Sequence, residues 1–302
     1  MLLFFGGEFL VRGAVDVAKK LGVSSLLIGL VLVGFGTSTP ELMTSILAVI
    51  NENPGIAVGN VVGSNTANIL LILGVSALIY PLVCNKEAFM RDGSFMVLAT
   101  LAVVGLCAFG NVSRVAGAVL ILMLALYLVF CVVMEKRRQA TKEQEERAAI
   151  SVQVLIKDIG IFVGGLLMIF VGAHFLVTGA VDIARDFNVS ETIIGLTIVA
   201  VGTSLPELVA SGMAALKKQS DIAYGNIIGS NIYNLLGILG VTGVLYPFEI
   251  PAQIAQFDIW IMLGATLLLM VFSAWGWIIS RWKGAVFLAL YVAYTGYLVV
   301  IA

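Results

Sequence analysis

The sequence predicts an all-α polytopic membrane protein, ten transmembrane helices arranged as two inverted five-helix repeats, and three observations carry that prediction. AVILMFWYC residues make up 60% of the 302-residue chain and charged residues only 12%, about half the usual quarter, with a mean hydropathy of +1.07. The chain aligns with itself at a fixed offset, and each copy holds an odd number of apolar spans. A soluble domain cannot bury so large an apolar fraction, disorder is excluded, and the net charge of −1 points to no nucleic-acid partner.

Runs of about 20 apolar residues, the length that crosses roughly 30 Å of hydrocarbon, fall near 1–18, 25–50, 56–80, 93–110, 114–134, 154–183, 191–216, 221–246, 257–280 and 284–302. The opening MLLFFGGEFLVRGAVDVAKK has no basic stretch before its apolar part and no small-residue cleavage site, so it reads as a retained first span. Loop chemistry separates the later spans: Asn51-Glu52-Asn53-Pro54, Lys86-Glu87, Gly110-Asn111, Lys217-Lys218-Gln219-Ser220 and Ser280-Arg281-Trp282-Lys283.

Between the fifth and sixth spans lies the charged stretch Glu135 to Arg147, EKRRQATKEQEER, which reads as a solvated connector. It divides the chain into a first five-helix repeat (1–134), a cytoplasmic linker (135–153) and a second five-helix repeat (154–302). With the linker inside, alternation puts Lys19, Lys20, Lys86, Arg91, the basic residues from Lys136 to Lys157, Lys217, Lys218, Arg281 and Lys283 on the same side. Only Arg114 and Arg185 fall outside, with Arg12 inside the first span. This asymmetry follows the positive-inside pattern of an inner (plasma) membrane protein and places both termini outside. Cys84, Cys107 and Cys131 have no metal-binding or redox spacing, so neither a disulfide nor zinc is expected.

Shifting the sequence by 166 residues aligns 6–82 with 172–248 without a gap, with about half the positions identical. GAVDVA meets GAVDIA, GTSTPEL (36–42) meets GTSLPEL (202–208), and GNVVGSNTANIL (59–70) meets GNIIGSNIYNLL (225–236). Five spans per copy forces the second copy to sit upside down, an arrangement common in secondary transporters whose substrate binds where the copies meet. Two units of this length exclude a solenoid. By the same offset, the start of the sixth span near Val154 maps to a position before Met1, so a longer native start is an expectation of the repeat.

Of 18 acidic residues, Glu41 and Glu207 alone stand well inside apolar spans, at equivalent repeat positions. An ionised group near the bilayer centre is costly unless it meets a polar cavity or a cation. Pro40 and Pro206 precede them and predict a kink that frees the carbonyls near Gly36–Thr37 and Gly202–Thr203. Helical spacing puts Thr37 and Ser38 on the face of Glu41, and Thr203 and Ser204 on that of Glu207. It likewise pairs Ser64 with Asn68 and Ser230 with Asn234. Ser and Asn also serve as interhelical glue, and Pro as a simple kink, but here both motifs occur twice and together. The donors are all oxygen, without His or Cys, which favours a hard cation; two carboxylates match the double charge of Ca²⁺. His174, the single histidine, aligns with Glu8 and reads as a bystander.

These motifs closely resemble the two α-repeats of the cation/calcium antiporter superfamily, in particular the prokaryotic members of its sodium/calcium exchanger branch, over essentially the whole chain. The resemblance implies a Ca²⁺/Na⁺ antiporter working by alternating access. Its ligands would be Glu41 and Glu207 with Thr37, Ser38, Thr203 and Ser204 from the second and seventh spans, completed by Ser64, Asn68, Ser230 and Asn234 from the third and eighth. The first and sixth spans would slide across this core. Several members carry Asp where this chain has Asn234, which argues against K⁺ coupling. The transported ions would be Ca²⁺ and Na⁺, with no cofactor, the lipid bilayer as surroundings and a monomer as functional unit.

Coupling to H⁺ or another cation is the alternative within the transporter class. A cation channel is the alternative outside it, but a channel needs a continuous lined pore and usually a symmetric oligomer. An intramembrane enzyme would need a nucleophile with a base or a His-rich metal site, and neither pattern occurs.

Overall fold

A computed structural model describes residues 1–142, 152–187 and 200–301. The order is α1 (Leu2–Leu21), α2 (Ser25–Thr37), α3 (Thr39–Ile50), α4 (Pro54–Ile79), β1 (Leu82–Val83), α5 (Phe89–Phe109), β2 (Asn111–Val112) and α6 (Arg114–Lys142). Then follow α7 (Val152–Asp186), α8 (Ala200–Thr203), α9 (Leu205–Leu216), α10 (Ser220–Leu245), β3 (Phe248–Glu249), α11 (Ile254–Ala274), β4 (Ile278–Ile279) and α12 (Arg281–Ile301). Among the described residues, 7 helices are long and apolar enough to cross a membrane, or 8 if the bent pair α2 and α3 is one span. Part of the predicted seventh span, 191–199, lies outside the described residues.

Burial ranks the helices. In α4 and α10, 72% and 83% of the most apolar stretch is buried, against 22% in α6 and 17% in α12. The helices that carry GSNxxN therefore form the centre, and α6 and α12 expose apolar side chains on the outside. Glycine permits the closest central contact. A Cβ on Gly229 of α10 would lie 2.0 Å from the Leu30 carbonyl oxygen of α2, so no larger residue fits there. The long helices α1 and α7 meet in the same way, where a Cβ on Gly165 would stand 2.4 Å from the Leu10 nitrogen.

The predicted kink is present, but the helix breaks just before Pro40. The α2 axis ends at Thr37 and α3 starts at Thr39 after a 40° bend, with Ser38 between them at φ −84°, ψ 9°. Pro40 then sits in the first turn of α3, where its missing N–H costs nothing. Ser204 makes the equivalent break before α9, with Pro206 again in the first turn. Both central helices also widen into π turns, Asn68–Leu73 in α4 and Tyr233–Ile238 in α10, at the second asparagine of GSNxxN; such turns are frequent at functional sites.

Two short antiparallel clips join the halves of the chain. Leu82 pairs with Ile279 and Val83 with Ile278, while Asn111 pairs with Glu249 and Val112 with Phe248.

Helix α6 continues through Glu135 to Lys142, and α7 begins at Val152, so the charged stretch starts out helical. Charge did not end the helix because Lys, Arg, Gln, Ala and Glu are all good helix formers. Glu135 itself is buried and is not a solvated charge; residues 143–151 of the linker lie outside the described residues.

Candidate cation site

The breaks at Ser38 and Ser204 set two helix ends facing the same interior. Each chain segment ends one helix at a threonine, Thr37 or Thr203, and opens the next with a carboxylate in its first turn, Glu41 or Glu207. Helix C-termini present carbonyls and N-termini present amides, so each break is a local polar centre in an apolar bundle. Glu41 and Glu207 are 1% and 0% exposed.

Hydrogen bonds show which predicted residues the fold brings together. Ser38 Oγ donates to Glu207 Oε1 at 2.8 Å, joining the first break to the second carboxylate. Thr37 Oγ1 stands 3.3 Å from Gly34 O and 3.2 Å from Asn226 Oδ1, the two acceptors for its single proton. Ser230 Oγ donates to Gly34 O at 3.1 Å, fastening α10 to α2. Asn68 Nδ2 donates to Asn231 Oδ1 at 3.1 Å across α4 and α10. Ser64 and Asn234 are buried on the same two helices, Ser204 is buried at the second break and Thr203 is half-buried beside it.

The polar atoms left over define the chemistry. Both Glu41 oxygens, Glu207 Oε2, Asn68 Oδ1, Asn234 Oδ1 and Ser204 Oγ are buried with no hydrogen-bond partner, as is Asn234 Nδ2. Buried polar atoms are almost always paired, and an unpaired buried carboxylate is especially costly. Six of the nine unpaired acceptors among the described residues belong to five residues of one proposed cluster, drawn from both halves of the chain; the other three are on Asn65, Ser76 and Ser280. Six oxygens, three of them from carboxylates, match the six to eight hard ligands that Ca²⁺ takes. Among the described residues no three His, Cys, Asp or Glu side chains come together, so amide and hydroxyl oxygens must complete any coordination shell.

Sequence reasoning missed a supporting layer. Asn60 Nδ2 donates to Glu41 O at 3.1 Å and Ser45 Oγ at 3.0 Å. The equivalent Asn226 Nδ2 donates to Glu207 O at 3.4 Å and Ser211 Oγ at 2.8 Å. Each asparagine thus grips the turn that carries a carboxylate, once per copy. The signal was available: both asparagines lie in the repeated GN…GSN motif, and Ser45 and Ser211 stand one helical turn beyond the glutamates.

His174 is outside this cluster but not remote from it. It lines a cavity of about 410 Å³ together with Thr39, Pro40, Met43, Phe170, Ala173, Val177, Gly202, Thr203 and Pro206. Through Thr203 and the two prolines this cavity borders both breaks.

Comparison with known proteins finds relatives over nearly the whole chain. The family profile described as sodium/calcium exchanger protein matches residues 1–133 and 157–300. The chain is 34% identical over 330 aligned positions to the sodium/calcium exchanger MaX1 of Methanosarcina acetivorans, covering 97% of this chain and 94% of that one. It is 34% identical over 268 positions to the inner membrane protein YrbG of Escherichia coli, covering 87% and 82%. Among solved structures, the sodium-calcium exchanger NCX_Mj soaked with 10 mM Na⁺ and zero Ca²⁺ superposes with a TM-score of 0.83 at 32% identity, covering 97% of this chain and 93% of that one.

Proposed function

The chain belongs to the sodium/calcium exchanger family, and from that premise we propose that it is a secondary active antiporter exchanging Ca²⁺ for Na⁺ across the cytoplasmic membrane by alternating access. One observation carries the reading: Glu41, Glu207, Asn68, Asn234 and Ser204 together hold six buried oxygens without a hydrogen-bond partner. In this reading Glu41 and Glu207 neutralise the divalent ion. Thr37, Ser38, Thr203 and Ser204 flank it from the breaks, and Ser64, Asn68, Ser230 and Asn234 complete the shell. The same oxygens hold Na⁺ on the return step. Exchange of three Na⁺ for one Ca²⁺ moves one net charge per cycle, worth about 2.3 kcal/mol per 100 mV.

The architecture proposed for this transport is ten spans in two inverted repeats, 1–134 and 154–302, with a cytoplasmic linker, both termini outside and a monomer as the unit. The strand clips support it. The offset of 166 carries Leu82–Val83 onto Phe248–Glu249 and Val112 onto Ile278. A ten-span chain puts the two loops of each clip on one side of the membrane, and the two clips on opposite sides.

The test is ⁴⁵Ca²⁺ uptake into proteoliposomes under outward Na⁺, K⁺ or H⁺ gradients imposed one at a time. An outward Na⁺ gradient is expected to drive accumulation and K⁺ to have no effect. Accumulation driven by H⁺ alone would replace Na⁺ as the coupling ion, and passive flux without accumulation would replace the antiporter by a channel.

A further inference from the structure

Glu135 opens the charged segment, yet it is only 5% exposed. Its two carboxylate oxygens accept the Ser24 backbone N–H at 2.8 Å and the Ser24 hydroxyl at 3.3 Å. Ser24 is the N-cap of α2, with Oγ accepting the Leu27 N–H at 3.3 Å. The cap is thus already supplied by Ser24, and the buried charge of Glu135 is surplus to capping. Its effect is to fasten the positive end of α2 to α6. The far end of α2 carries Thr37 and the break at Ser38.

A second buried carboxylate acts four residues earlier in the chain. Lys20, in the last turn of α1, pairs with Asp158 near the start of α7, and Asp158 is 4% exposed. Between the two fastenings stands Gly22 at φ +66°, a backbone conformation that glycine adopts without strain. On one side of Gly22, α1 is tied to α7 by this pair and by the close contact at Gly165. On the other, α2 is tied to α6.

We propose that Glu135 and Asp158 are positioning residues that make Leu21–Ser24 a hinge between two bodies. Asp158 joins the end of α1 to α7 so that the two long helices move together. Glu135 holds the start of α2, and with it the first half of the cation site, in place while they do so. The proposal rests on the transport reading for its purpose, but not on the identity of the driving ion.

The full-length chain in proteoliposomes provides the test. Glu135→Ala is expected to lower maximal Ca²⁺ flux at least tenfold while leaving half-saturating Ca²⁺ within twofold, because no site oxygen is touched. Glu135→Gln keeps one oxygen for the Ser24 N–H and is expected to restore the flux to about a third of wild type. Accessibility supplies a readout independent of the driving ion. Met43→Cys, on the wall of the cavity, is labelled with a membrane-impermeant thiol reagent, and Glu135→Ala is expected to change its labelling rate at least threefold. Wild-type flux and labelling in Glu135→Ala, or a loss of flux matched by an equal loss of Ca²⁺ affinity, would each overturn the hinge. If Glu135→Ala is not recovered folded, Glu135→Gln decides: a threefold slower flux at unchanged half-saturation upholds the proposal, and unchanged flux and labelling reject it.

Discussion

Ser38 Oγ lies 2.8 Å from Glu207 Oε1 although the two residues stand 169 positions apart. The repeat-equivalent contact, Ser204 to Glu41, is not made: Ser204 Oγ and both Glu41 oxygens lack partners. The two copies therefore meet unequally, with the second carboxylate held and the first free to take a ligand.

Each carboxylate should be indispensable. Glu41→Gln and Glu207→Gln remove a charge opposed to a desolvated divalent ion while preserving side-chain size. Both are expected to lower Ca²⁺ exchange to under a tenth of wild type, with the folded protein still recovered by size-exclusion chromatography. Exchange above that level in both variants would displace the ion from this cluster.

Acid should inhibit. Ca²⁺ requires both glutamates ionised, so protons and Ca²⁺ compete for the same oxygens and binding releases any proton present. The sign is fixed: affinity falls as pH falls, and the loss deepens as each carboxylate becomes protonated. Equilibrium Ca²⁺ binding measured from pH 8 to pH 5 should show this decline, and a flat profile would contradict a two-carboxylate site.

The supporting asparagines should differ in effect. Asn60→Ala and Asn226→Ala each free a glutamate turn, and leaving buried groups unpaired costs about 1–3 kcal/mol. Asn226 additionally receives the Thr37 hydroxyl, so its loss is expected to raise half-saturating Ca²⁺ about three- to tenfold, more than the loss of Asn60. Flux titrations with thermal melts compare the two. Equal Ca²⁺ dependence would leave the Thr37 contact without consequence.

Asn234→Asp adds a third carboxylate where both amide atoms are already unpartnered. A more anionic site is expected to recruit a proton or a further monovalent cation, giving steeper pH dependence and K⁺ sensitivity. Unchanged Na⁺, K⁺ and pH dependence of flux would reduce Asn234 to packing and confine the site to the two breaks.

The glutamates and their flanking hydroxyls were legible in the sequence because a charge within an apolar span is costly and both motifs recur at one offset. Glu135 was not legible: composition places a charged run in water, whereas its burial depends on Ser24, over a hundred residues earlier. The two-residue strands carry too little pattern to read, since their pairing is decided by how the helices dock. The kink near Gly36–Thr37 was legible from Pro40, but that the helix breaks at Ser38 with the proline in the first turn of the next helix was not, because proline chemistry fits a bend and a helix start equally well.

The two strand clips also set an order of assembly. Both β1 and β2 belong to the first half, and both partners, β4 and β3, to the second. Leu82 and Val83 emerge from the ribosome about 200 residues before Ile278 and Ile279, an interval on the order of 10–40 s at ordinary synthesis rates. Throughout that time their backbone groups are edges without a mate, so the nascent first half cannot close and its completion is an event of late synthesis.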